Sequence, residues 1–330
     1  MESKSQIKQS ELKSTQQCTE ERENHIETAK QRLQELGLLK ERHTKEWIGR
    51  FLEAKKYKLE AAIEMLVDCE KWRDEYRVDE LMDYKLDNLK EVKEIYPQYY
   101  HFHCKEYRPL YIEILGKLSY KEIMKYTNEE DLIRYQVAEF ERLVQHKFPI
   151  CSRLANRPIQ TAISITDLKK ASLSSFPRAL SFIKKSILIS QQYYPGTMGL
   201  RIIINAGFMF QTIWKILKPM MRPEAIERTV ILGSEYMEYL EKIVDRKFLP
   251  KSIGGDCECT DCCMEENGPW KTDETVEIEK VKSEKVESEK VEIEVVESEM
   301  VETKIEQIST ENAFIESTAK LSEREISTKE

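Results

Sequence analysis

The chain has 330 residues, 40% of them apolar and 34% charged, with a formal net charge of −8. This mixture supports a buried core with a wide wet surface and excludes collagen-like or wholly disordered classes. From Lys271 onward there are 18 acidic and 9 basic residues, so the preceding 270 are nearly neutral and the overall charge says little about partners; no nucleic acid is expected among them.

The first thirty residues are charged and lack the apolar stretch of a secretory leader. Residues 1–43 read as a polar extension with a helix over Glu21–Leu39. In residues 44–95, Ile48, Phe51 and Leu52 set one helical stripe, and Leu59, Ala62, Ile63, Leu66 and Cys69 set a second. Both are short helices that need a partner surface.

From Tyr107 the pattern changes. RPLYIEILG reads as a strand closed by Gly116. Ser119-x-x-Glu122 and Thr127-x-x-Glu130 have capping-box spacing, and the second opens a helix with Ile133, Val137, Phe140 and Val144 on one face. TAISITD (161–167) is a second strand. Its alternation puts large Ile163 and Ile165 on one side and small Ala162, Ser164 and Thr166 on the other. A helix marked by Leu180, Ile183 and Ile187, a strand over Arg201–Ala206 and a strand over Thr229–Gly233 follow. Strand and helix alternate, which predicts an α/β fold with a mainly parallel sheet.

Between the last two strands, Phe210, Ile213, Trp214, Leu217 and Met221 recur at helical spacing, with Lys215 and Lys218 off the stripe. Two readings are open: an ordinary core helix, or a cover over an apolar cavity that also meets a membrane interface. The apolar stretch around it, Leu200–Met221, is broken by Arg201, Asn205, Gln211, Lys215 and Lys218, and no bilayer span is expected.

Four of the eight cysteines crowd into Cys257, Cys259, Cys262 and Cys263. This C-x-C-x2-C-C spacing departs from paired zinc knuckles, so no metal is expected. The remaining cysteines are scattered, which suits a reducing compartment. Beyond Val276 a five-residue repeat (VEIEK, VKSEK, VESEK, VEIEV, VESEM) matches neither helix nor strand periodicity, and residues 271–330 read as an acidic low-complexity tail. The five histidines, His25, His43, His101, His103 and His146, join no nucleophile elbow, P-loop or zinc-protease motif, so no catalytic residue and no enzyme is expected.

WIGRFLEAKKY followed by EMLVDCEKWRDEY resembles the N-terminal helical part of the CRAL-TRIO lipid-binding proteins. YPQYY, RPLY, PICSR, DLK, SQQYYP, IINA, ILGSEY and LPKSIGG follow in the family's order. Together they resemble the phosphatidylinositol/phosphatidylcholine transfer proteins of the secretory pathway. The resemblance implies residues 96–270 as the lipid-binding domain, on a mainly parallel sheet whose flanking helices enclose a hydrophobic pocket. Its ligand is a phospholipid, with no other cofactor. It also implies a monomer, cytoplasmic and peripherally associated with Golgi or endosomal membranes through transient contact.

The helix carrying Phe210, Ile213, Trp214, Leu217 and Met221 is then the gate. On the choline-lipid side Tyr100, Tyr111 and Ser164 are kept, while Ala162 and Phe140 stand where the family has hydroxyls. On the inositol-lipid side Lys55, Lys56 and Arg228 supply cations, while Ala225 and Gly196 replace polar groups. This balance predicts phosphatidylinositol over phosphatidylcholine. The alternatives are a carrier or sensor of another hydrophobe, such as a sterol or isoprenoid, and a scaffold that does not exchange ligand.

Overall fold

The computed structural model describes residues 4–171, 176–208, 210–258 and 266–271, with side chains from Glu20 onward. Four helices come first: α1 (Lys4–Glu35), α2 (Lys45–Ala54), α3 (Leu59–Tyr76) and α4 (Leu89–Ile95). α1 starts earlier than its apolar pattern predicts and stops short of Leu39. Gly37, at φ +69, lets Leu38 and Gly37 donate back to the carbonyls of Leu33 and Gln34, which closes the last turn. Thr44 caps α2 by accepting the Trp47 amide.

Ile26, Ala29 and Leu33 of α1 pack with Trp47, Ile48, Phe51 and Leu52 of α2 and with Ala62, Ile63, Leu66 and Cys69 of α3. The expected stripes of the two short helices are the faces buried here. Under this helical core lies an ion network. Arg73 of α3 donates to both carboxylate oxygens of Glu141, at 2.8 and 3.0 Å, and Tyr194 also donates to Glu141. Arg73 and Glu141 are each 1% exposed, so the pair is shut off from water.

The sheet follows: β1 (Gln98–His103), β2 (Pro109–Ile114), β3 (Ala162–Asp167), β4 (Met198–Ile204) and β5 (Thr229–Ile231), in the order β1-β2-β3-β4-β5. β1 and β2 form an antiparallel hairpin, and every later pairing is parallel. Parallel neighbours need crossovers. Between β2 and β3 run α5 (Tyr120–Ile123), α6 (Glu129–Arg142) and α7 (Phe148–Ala155), with a π-helical turn joining the last two. α8 (Phe176–Gln192) leads to β4, and α9 (Phe210–Leu217) and α10 (Pro223–Glu227) lead to β5. α11 (Met237–Ile243) is the last α-helix among the described residues, followed by two 3₁₀ turns (Arg246–Phe248 and Lys251–Ile253). The expected α/β architecture is the one the chain forms.

Three local expectations differ. β1 is a strand that the pattern does not announce. α6 is capped by Asn128, whose side-chain oxygen accepts the Asp131 amide at 2.9 Å, and not by Thr127; Ser119 makes no side-chain cap bond either. The gate helix is shorter than expected. α9 ends at Leu217, a 3₁₀ turn spans Lys218–Met220, and Met221 is extended. Pro219 has no amide proton and crowds the preceding turn, which ends the α-helix before Met221.

The two faces of the sheet differ sharply. Leu110, Ile112, Ile163, Ile165, Ile202 and Ile204 point to one side and pack against Leu240, Val244, Leu249, Ile253 and Cys257 from the C-terminal segment. Alternation sends their neighbours to the other side, where Tyr100, Tyr111 and Ala162 pack with Leu143, Phe148, Ile150 and Cys151 and the rest face a cavity.

Candidate functional site

That other side is the floor of a cavity of about 320 Å³, within the range of small-molecule sites. Strand register lays two rows across it. One row runs Tyr100, Tyr111, Ser164, Arg201; the next runs Gln98, Glu113, Thr166, Ile203. All eight residues line the cavity. The walls come from Leu132, Gln136, Glu139 and Phe140 of α6, from Phe176, Phe182, Ile183 and Ile187 of α8, and from α9. The enclosure is therefore mainly apolar, with a band of polar groups on the sheet.

The band has its own bonding. Tyr111 donates to Gln98 Oε1 at 2.7 Å. Glu113 accepts from Tyr96 on one oxygen and from Thr166, at 2.9 Å, on the other. Burial raises the Tyr96, Tyr100 and Tyr111 hydroxyls well above the usual phenol range, so all three are neutral donors. Lys147 Nζ sits 4.7 Å from the Tyr100 ring centroid and pairs with Glu266. Two groups are left over. Ser164 Oγ is buried without a hydrogen-bond partner, and no hydrogen bond or ion pair reaches the Arg201 side chain among the described residues.

α9 is the remaining wall. Phe210, Ile213, Trp214 and Leu217 all face the cavity, joined by Met221 just beyond the helix. No residue of α9 is buried, and just ahead of it Phe208 is 86% exposed. A stripe built for a core would be covered on both sides; this one has a cavity behind it.

The CRAL/TRIO domain family matches residues 93–255. The SEC14 cytosolic factor of Kluyveromyces lactis is 36% identical over 261 residues, covering 78% of this chain and 86% of that protein. The chain belongs to the CRAL/TRIO family. The Sec14 cytosolic factor of Schizosaccharomyces pombe, 35% identical, covers 80% of this CRAL/TRIO chain and 90% of its own length. The phosphatidylinositol/phosphatidylcholine transfer protein SFH9 of Arabidopsis thaliana is also 35% identical, over 78% of this chain and 46% of that protein. Among solved structures, the crystal structure of Sfh5 aligns with a TM-score of 0.50 at 17% identity, covering 61% of this chain and 69% of that one.

Of the headgroup residues named from sequence, this CRAL/TRIO fold brings Tyr100, Tyr111 and Ser164 into one row of the cavity floor. Lys55, Lys56 and Arg228 lie elsewhere and do not line the cavity. Lys55 ends α2, and Lys56, at φ 53 and well exposed, pairs with Glu224 of α10 at 3.3 Å. Arg228 ends α10, one turn on from Glu224, so Lys56 and Arg228 share the neighbourhood of that short helix. Phe140 stacks on Tyr194, ring centroids 4.6 Å apart, and presents no hydroxyl.

Sequence reasoning did not name Tyr96, Gln98, Glu113, Gln136, Glu139 or Arg201 as cavity residues. For Glu113 and Arg201 a signal existed: each is a lone charge at an inward position of an otherwise apolar strand. Among the described residues no group of three His, Cys, Asp or Glu side chains is placed to hold a metal ion. Cys259, Cys262, Cys263 and the acidic tail lie outside the described residues. Cys69 and Cys151 are buried, and burial pushes both thiols up to about 12, far from reactive thiolates.

Proposed function

We propose that this chain binds one phospholipid in the cavity behind α9 and carries it between membranes. The observation that carries this reading is the cavity-facing apolar stripe of α9 next to exposed Phe208. A diacyl lipid in water exposes two chains of roughly sixteen carbons, on the order of 25 kcal/mol of unfavourable apolar surface at about 0.8 kcal/mol per methylene. A carrier must hide nearly all of that surface in transit and release it at a bilayer. A helix whose apolar side closes the cavity serves both steps if it swings outward onto the membrane.

The relatives are consistent with this chemistry: SFH9 is named a phosphatidylinositol/phosphatidylcholine transfer protein, and the fungal relatives are named cytosolic factors. No described helix is long and apolar enough to cross a membrane. The chain acts, in this reading, as a carrier with no catalytic step. It works as a monomer from the cytosol, touching Golgi or endosomal surfaces transiently, with phosphatidylinositol as the preferred ligand and no other cofactor. Transfer of fluorescent phosphatidylinositol from donor to acceptor vesicles tests the proposal: the full chain should accelerate it in proportion to protein added. A folded chain that leaves the spontaneous rate unchanged would refute it.

A further inference from the structure

The cavity floor carries a charge that the protein itself does not answer. Arg201 projects from β4 into a mainly apolar enclosure, with neither a hydrogen bond nor an ion pair to its side chain among the described residues. The nearest candidate counter-ion, Glu113, lies one row further along the floor, and its two oxygens are taken by Tyr96 and Thr166. Ser164 is the registered neighbour of Arg201 on β3, points to the same side, and its buried hydroxyl also lacks a partner. Registered neighbours on adjacent parallel strands stand about 5 Å apart. Arg201 and Ser164 are therefore neighbours on the floor, both line the cavity, and both carry donors without a partner among the described residues.

Burying a charge or a hydroxyl without a partner is costly, and two such groups together are complementary to one external acceptor. A guanidinium matches the geometry of phosphate and carboxylate oxygens. We propose that Arg201 and Ser164 form an oxyanion site that anchors the phosphate or carboxylate of an amphiphile on the cavity floor. The site thereby selects acidic or phosphorylated lipids over uncharged hydrophobes of the same chain length. Sterols and isoprenoid alcohols would leave both donors unsatisfied. Glu113 repels an anion from the Thr166 side and Glu139, on the wall near Tyr100, repels it from that end, so the oxyanion sits between Ser164 and Arg201. Burial pulls the Arg201 pKa down while Glu113 holds it up, and the group stays cationic at neutral pH. This inference rests on the cavity being the lipid site.

The test offers the full chain dioleoyl phosphatidate and dioleoylglycerol in equal amounts from micelles of an uncharged detergent, with native mass spectrometry reading the bound lipid. Oleate against oleyl alcohol repeats the comparison with a carboxylate. Wild type should take the anionic member of each pair by about tenfold or more, the ratio expected for one charge-assisted bond in a dry site. Arg201→Met should erase the preference while cooperative melting persists, and Arg201→Lys should retain part of it. Equal uptake of charged and uncharged lipid by wild type overturns the inference whether or not the variants fold, as does a preference that survives Arg201→Met. If wild type takes up neither lipid, the carrier reading falls and the inference falls with it. If wild type shows no lipid preference but inorganic phosphate alone stabilises it and not Arg201→Met, the site belongs to free phosphate and the lipid assignment is overturned.

Discussion

Arg73 and Glu141 join two helices through a doubly hydrogen-bonded ion pair that water does not reach. Removing one partner strands the other charge, which typically costs about 3–5 kcal/mol. Glu141→Ala should therefore lower the unfolding free energy by that order in a denaturant titration, whereas Glu238→Ala, at an exposed pair with Lys242, should leave it nearly unchanged. His101 gives a pH signature. It is buried beside Cys257 Sγ at 3.3 Å, and burial lowers its pKa from 6.5 to about 4. Below pH 6.5 the unfolded chain binds a proton there that the folded chain refuses, so stability should fall as pH drops from 6.5 towards 4 and then level off for this group. Thermal melts across that window should show a slope that shrinks in His101→Gln; an unchanged slope would mean other groups carry it. Lys56 and Arg228 are a third residue-scale case. If they meet the inositol ring of the headgroup at the α10 side, Lys56→Ala with Arg228→Ala should reduce phosphatidylinositol loading and leave phosphatidylcholine loading alone.

α9 is where an element becomes a working part. Its stripe lines the cavity, yet none of its residues is buried, so polar substitution there should spare the fold. Trp214→Asp with Leu217→Asp should abolish intervesicle transfer while cooperative melting persists, because a carboxylate facing acyl chains or an anionic bilayer surface is strongly opposed. Loss of cooperative melting would make the helix a core element, and transfer at the wild-type rate would make it a passive one. The periodicity that revealed this helix could not by itself separate core from cover; Phe210, Ile213, Trp214 and Leu217 have the same spacing in either case. β3, β4 and β5 were legible because isoleucines and small residues alternate or run together between turn signals. β1 was not. Its sequence QYYHFH sets amphipathic side chains on both faces, it lies at the sheet edge, and a register shift between Tyr100 and His103, with Phe102 at φ 51, breaks its alternation. The Asn128 cap is hidden for a smaller reason: Thr127 beside it has the capping-box spacing to Glu130.

At the scale of the molecule, the sheet separates two jobs by alternation alone. One face is sealed by the C-terminal segment and anchors the fold; the other is packed by α7 at one end, and over the rest α6, α8 and α9 enclose a cavity instead of filling it. Tyr100, Tyr111 and Ser164 could be named from sequence because they fall within stretches that resemble a family. For Glu113 and Arg201 the only signal is a lone charge in an apolar strand, which looks like an interruption until register shows which face it joins. Cross-strand register also links Tyr100 to Arg201 across a hundred residues of chain. The central claim is that this enclosure holds one phospholipid. Native mass spectrometry of the full chain, purified from its own cells without detergent, measures that directly. The account predicts a mass exceeding the polypeptide by a single phospholipid, with phosphatidylinositol the most abundant; a chain carrying no lipid, or carrying a sterol or isoprenoid in its place, would contradict it.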